Sequence, residues 1–187
     1  MMILKVLIFF TFLQFPLVDS CYVRLKGTCE DGWTYYERKT TGWCMKVFVE
    51  GLMAKTTAES YCDENGAVLS SIDDLAMQNV ILSLISAQNA KLTWLGAKLK
   101  SECRCGEALC ADPNNECGPK GYYWTDGYTT SNDYIKNNLN VTSSITDGQI
   151  VWLTKEGLII SHLGELDISA ILNASMDSVI CGRSASN

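Results

Sequence analysis

The sequence predicts an α+β fold with two helices, antiparallel sheets and long disulfide-stapled loops. Three observations predict it. An aromatic, alternating stretch near the start reads as a hairpin. Two helix-like stretches follow, and the second half alternates short strands with polar, turn-rich segments. The chain also carries 9 cysteines, enough to cross-link those segments.

Taken in order, Trp33–Arg38 has the aromatic content of a strand and Lys46–Val49 alternates. Thr40-Thr41-Gly42 between them is a turn signal, and Cys29 and Cys44 are placed to staple the hairpin. Thr56 and Glu59 have capping-box spacing, so the first helix is expected to start near Thr56. Ala58, Tyr61 and Cys62 share its inner face, and Gly66 stops it. Val68–Ile72 reads as a short strand. Asp73 or Asp74 caps a second helix, whose stripe of Met77, Val80, Ile81, Leu84 and Ile85 is a core face. Leu92–Leu99 reads as a strand carrying Trp94. Ser101–Gly121 is a cross-linked loop without a core pattern, and Tyr122–Thr125 resumes as a strand. Tyr128–Asp147, rich in Asn, Ser and Thr, reads as a long surface loop of the kind that carries function. Gln149–Lys155 and Leu158–His162 form a hairpin turning at Glu156-Gly157, and Ser178–Gly182 is the last strand.

Residues 1–20 read as a secretory signal peptide. Lys5 opens it, Val6–Leu13 is apolar apart from Thr11, and Val18-Asp19-Ser20 offers small residues for cleavage before Cys21. The apolar run is shorter than the about 20 residues a membrane span requires. Residues 21–28 form an N-terminal extension, and 29–187 suit one domain. Such a chain is expected to be secreted and extracellular, without a membrane span, in a compartment where disulfides persist. An odd cysteine count leaves at least one sulfur over. Cys21, outside the motifs, is the candidate: a free thiol, an intermolecular bridge to a second copy, or a competitor for another partner. A net charge of −6 without a Lys/Arg cluster excludes nucleic acid as an expected partner.

Four cysteines, Cys103, Cys105, Cys110 and Cys117, crowd one segment. Four thiolates suit tetrahedral zinc, but paired short knuckles are missing, and an exported chain favours two disulfides. Bridging Cys103 to Cys105 would be strained. Two pairings remain: Cys103–Cys110 with Cys105–Cys117, or Cys103–Cys117 with Cys105–Cys110. Asn140-Val141-Thr142 and Asn173-Ala174-Ser175 are glycosylation sequons at Asn140 and Asn173. With His162 the only histidine and no nucleophile elbow or phosphate-cradling loop, no catalytic constellation is visible and no enzyme is expected.

Cys29-Glu30-Asp31-Gly32-Trp33, Gly42-Trp43-Cys44, Cys62, Gly66–Ile72, Trp94-Leu95-Gly96, Trp124-Thr125-Asp126-Gly127 and Val179-Ile180-Cys181 follow one another in this order. Together they resemble the C-type lectin-like domain, most closely its secreted nematode members. The resemblance implies a carbohydrate-binding or protein-binding module, with a role in the immune response, and a bridge from Cys62 to Cys181. It also implies a second bridge and a calcium site for which this chain lacks the residues. Gln149-Ile150-Val151 and Asn173-Ala174-Ser175 stand where the second pair of cysteines is expected. Lys136-Asn137-Asn138-Leu139-Asn140 stands where the family carries Glu-Pro-Asn or Gln-Pro-Asp, and Trp-Asn-Asp is missing. The expectation is therefore a module recognising a glycan or glycosylated surface with no cofactor, calcium remaining the one candidate. The alternative is calcium-independent protein binding on the same fold. Candidate ligand residues are Tyr128, Asp133, Tyr134, Asn138, Asn140 and Asp147.

Overall fold

The computed structural model describes residues 27–51, 53–103, 116–142, 149–157, 159–163 and 176–186. The signal segment, Cys21, Cys105, Cys110, Asp147 and Asn173 lie outside the described residues.

The described chain forms one large sheet, a two-stranded ribbon and three helices. β1 (Thr34–Glu37) and β2 (Gly42–Val49) make the expected hairpin, and Arg38 N–H donates to Thr41 O (3.0 Å) across its turn. α1 (Lys55–Glu64) follows, then β3 (Val68–Leu69) and α2 (Leu75–Ala87). β4 (Leu92–Trp94), β5 (Ala97–Leu99), a 3-10 turn (Pro119–Gly121) and β6 (Tyr122–Trp124) lead to α3 (Asp133–Asn138). β7 (Leu139–Thr142), β8 (Gln149–Thr154), β9 (Ile159–Leu163) and β10 (Met176–Ser184) complete the chain. The sheet runs β1-β2-β10-β4-β8-β9-β7, with β3 also on β10, while β5 and β6 pair apart.

The last strand lies in the middle of the sheet. Strand alternation gives β2 and β10 two different faces. On one, Trp43, Met45, Val47 and Ile180 join Met77, Ile81 and Ile85 of α2 in the larger core. On the other, Val179, Cys181 and Leu69 join Ala58 and Cys62 of α1, with Trp94. The Cys62–Cys181 bridge crosses that second face, and Cys29–Cys44 closes the hairpin. Gly182 is required where the two layers meet: a Cβ there would lie 2.2 Å from Trp43 Nε1.

Five expectations are corrected. The sheet is mixed, because β4 runs parallel to β10 and β7 parallel to β9. α1 begins at Lys55 after Ala54, with no side-chain cap, so Thr56 and Glu59 form no capping box. Asp74 does cap α2, accepting from Met77 N–H (2.8 Å). Val68–Ile72 pairs only over Val68–Leu69; Ser70, Ser71 and Ile72 are buried beyond it. Leu92–Leu99 is two strands in two sheets, broken at Gly96, where a Cβ would meet Leu69 O at 2.3 Å. Finally, the stretch from Tyr128 is no continuous surface loop. It contains α3 and β7, and Ile135 and Leu139 are buried. Two buried apolar side chains among many polar ones dock it, and composition alone does not reveal that.

Candidate functional site

The segment after β6 is positioned by a buried cation that the sequence reading missed. Arg38, at the end of β1, is 2 % exposed. Its guanidinium stacks on Trp43, 3.9 Å from the ring centroid, where the ring face attracts positive charge. Nη1 donates to Asp126 Oδ2 (2.8 Å), and Nη2 donates to Ser71 Oγ (3.0 Å). Nε has no hydrogen-bond partner among the described residues and faces Asp73 Oδ2 at 3.7 Å. Ser71 Oγ also donates to Asp126 Oδ2. Thr129 Oγ1 lies 2.9 Å from Asp73 Oδ1 and 3.0 Å from Asp126 Oδ2, so its single proton bonds one of the two.

This cluster ties the hairpin, the turn before α2 and the segment after β6 into one node. Asp126 starts that segment. Its Oδ1 accepts from Tyr128 N–H (3.0 Å) and Thr129 N–H (2.9 Å), the local bonding that fixes an Asx turn, with Gly127 at φ +75°. Burial alone would raise the Asp126 carboxyl. The Arg38 charge, the Ser71 hydroxyl and the Thr129 N–H outweigh it and hold the group below the usual carboxylate range. The signal available in the sequence was Asp126 itself, an acid two residues after a Trp in a strand, which once buried requires a cation.

The candidate ligand residues separate. Tyr128 is 46 % exposed, with its ring 5.0 Å from that of Trp43, and presents an outer face. Tyr134 is committed inward: its hydroxyl donates to Gln78 Oε1 (2.9 Å) and its ring packs on the larger core. Asn138 Nδ2 donates to Tyr134 O (2.8 Å), a bond within α3. Asn140 stands on β7, the terminal strand of the sheet. Asp133 is exposed and lines an open cavity of about 500 Å³ together with Glu116, Lys120, Lys136 and Asn137. Sequence reasoning passed over Glu116 and Lys120, because isolated surface charges carry no pattern, and weighed Lys136 and Asn137 only as part of a missing calcium motif.

The cavity joins the cysteine-rich segment, through Glu116 and Lys120, to the Tyr128–Asp147 stretch, through Asp133, Lys136 and Asn137. Cys103 is bridged to Cys117, which settles that pair, and α3 packs against the 3-10 turn just beyond it. The described part of the 136–140 stretch does not fit a calcium cage. Lys136 brings positive charge, Asn138 is occupied within its helix, and Leu139 is buried. Among the described residues no three His, Cys, Asp or Glu side chains converge on a metal position. No described helix is long and apolar enough to cross a membrane.

A family model for C-type lectin domain-containing protein 141/158 matches residues 34–147. No curated protein matches the chain. Among solved structures, the chain is similar to human lithostathine, with TM-score 0.51, 17% identity, and 84% of this chain and 91% of that one covered. Herring type II antifreeze protein gives TM-score 0.50, 17% identity, and 84% and 100% coverage. The protein of the SPL-1–GlcNAc complex gives TM-score 0.50, 18% identity, and 85% and 97% coverage. At such identities the likeness is one of fold alone.

Proposed function

This chain belongs to the C-type lectin domain-containing protein 141/158 family, and from that premise we propose that it is a secreted module that recognises a glycan or a glycosylated surface without calcium. The family is a binding fold and not an enzyme. What carries the reading is the convergence of the Cys103–Cys117 insert and α3 on one polar cavity, at positions fixed by a disulfide and by buried side chains. Recognition groups on a held frame lose little entropy on binding. Three further observations support it. Two disulfides besides Cys103–Cys117 suit an oxidising compartment, into which the 1–20 signal would deliver the chain. Tyr128 offers an aromatic face for a sugar ring. One protein of this fold was solved with GlcNAc.

The test is a printed glycan array probed with the secreted protein in calcium and again in EGTA, beside thermal melts in both buffers. The expected result is glycan retention in EGTA and a melt that calcium leaves unmoved, because an ion specific to the native state must raise its stability. Retention only in calcium would overturn the calcium-free part. No retained glycan in either buffer would overturn the reading and leave protein recognition on the same scaffold.

A further inference from the structure

We propose that the cavity between the 3-10 turn and α3 is a subsite for an uncharged, hydroxyl-rich sugar, held directly by side chains with no bridging cation. The inference rests on the glycan reading above and adds the ligand class and the side chains that hold it. Its volume of about 500 Å³ falls within the roughly 300–1,000 Å³ of small-molecule clefts. The lining decides the chemistry. Glu116 and Asp133 bring two carboxylates, Lys120 and Lys136 two ammonium groups, and Asn137 a carboxamide. None of the four charged side chains has an ion-pair partner among the described residues, although all four line one cavity.

Each class of charged ligand meets an obstacle there. A divalent cation needs six to eight oxygens and would face two ammonium groups. A sulfate or phosphate would face two carboxylates. A sugar hydroxyl fits both signs, because it donates to a carboxylate while accepting from an ammonium or amide N–H. Such charge-assisted hydrogen bonds are the stronger kind. The walls are held from behind. Ile135 is buried, Tyr134 is bonded to Gln78, and the Cys103–Cys117 bridge secures the residue next to Glu116.

The experiment is an array of neutral, sialylated and sulfated glycans in EGTA. It would be probed with wild type, Asp133→Asn, Lys136→Met and the distant surface control Lys155→Ala. Wild type and control should be retained on neutral glycans alone. Asp133→Asn and Lys136→Met should each lose about tenfold in affinity, with melts unchanged. Should a melt move, Glu116→Gln tests the same cavity from its other wall and should show the same loss. Undiminished binding by the variants would overturn the cavity as the site while leaving glycan recognition standing. Preference for sialylated or sulfated glycans would overturn the ligand class. A wild type that retains no glycan at all would bring down both readings.

Discussion

The two faces of the central sheet are anchored by different chemistry. On the α1 face the anchor is covalent: Cys62–Cys181 ties helix to strand across a sequence separation of 119, and Cys29–Cys44 lies on the same side. On the α2 face it is electrostatic: Arg38, Asp126, Ser71 and Thr129 form one buried node over Trp43. The difference separates a layer closed by sulfur from one that positions the proposed recognition segment. Sulfur closes a layer that needs no further adjustment. A hydrogen-bonded node fixes an irregular segment at several atoms at once, and it is this side that carries Tyr128 and leads into α3. The two anchors should also fail under different conditions, one to reductant and the other to acid.

The largest effect should come from the sulfur side. Replacing both cysteines, Cys62→Ser with Cys181→Ser, should cost about 5 kcal/mol by the loop-entropy account, read from chemical denaturation. That approaches the whole stability of a typical domain, so secreted yield should fall as well. A loss under about 1 kcal/mol would show that packing of Ala58, Leu69 and Val179 holds this face without help. Next is the node. Asp126→Ala strands a buried guanidinium and should cost about 3–5 kcal/mol. Replacing both partners with apolar groups, Arg38→Met with Asp126→Leu, should cost less than that single change. If the double variant is the weaker one, the pair contributes net stability beyond mutual neutralisation.

The smallest effect is the pH response, and it separates the faces most cleanly. Asp126 and Asp74 both have carboxyls held below their ordinary values, Asp74 by the Met77 N–H and the Tyr36 hydroxyl working against burial. A depressed folded value means the stabilisation is complete above the unfolded value, about 3.9, and is lost as pH falls through the folded one. Melting midpoints should therefore be flat near neutrality and drop below about pH 4. Asp126→Asn should flatten that drop. An unchanged acid slope in this variant would assign the response to other carboxylates.

Much of the frame was legible because it depends on local pattern. The β1–β2 turn, the Asp74 cap, the apolar stripe of α2 and the Gly157 turn between β8 and β9 each follow from residues near one another in sequence. The node was not. Arg38 reads only as the last residue of the strand Trp33–Arg38, next to the Thr40-Thr41-Gly42 turn, and its partner Asp126 lies 88 positions away. The cavity escaped for a related reason: its five polar side chains come from two segments whose meeting depends on the Cys103–Cys117 bridge and on α3. Sequence pattern reports which way a residue faces its own neighbours. It does not report which distant charge arrives opposite.

Thr28 and Ser186 exchange two backbone hydrogen bonds, of 2.9 and 3.1 Å, so the domain is entered and left at a single doorway. A unit with that geometry can be strung along a longer polypeptide or spliced into a host without bending either. Copies arrayed on one thread would then multiply their grip through tether length, with no contact added to any copy.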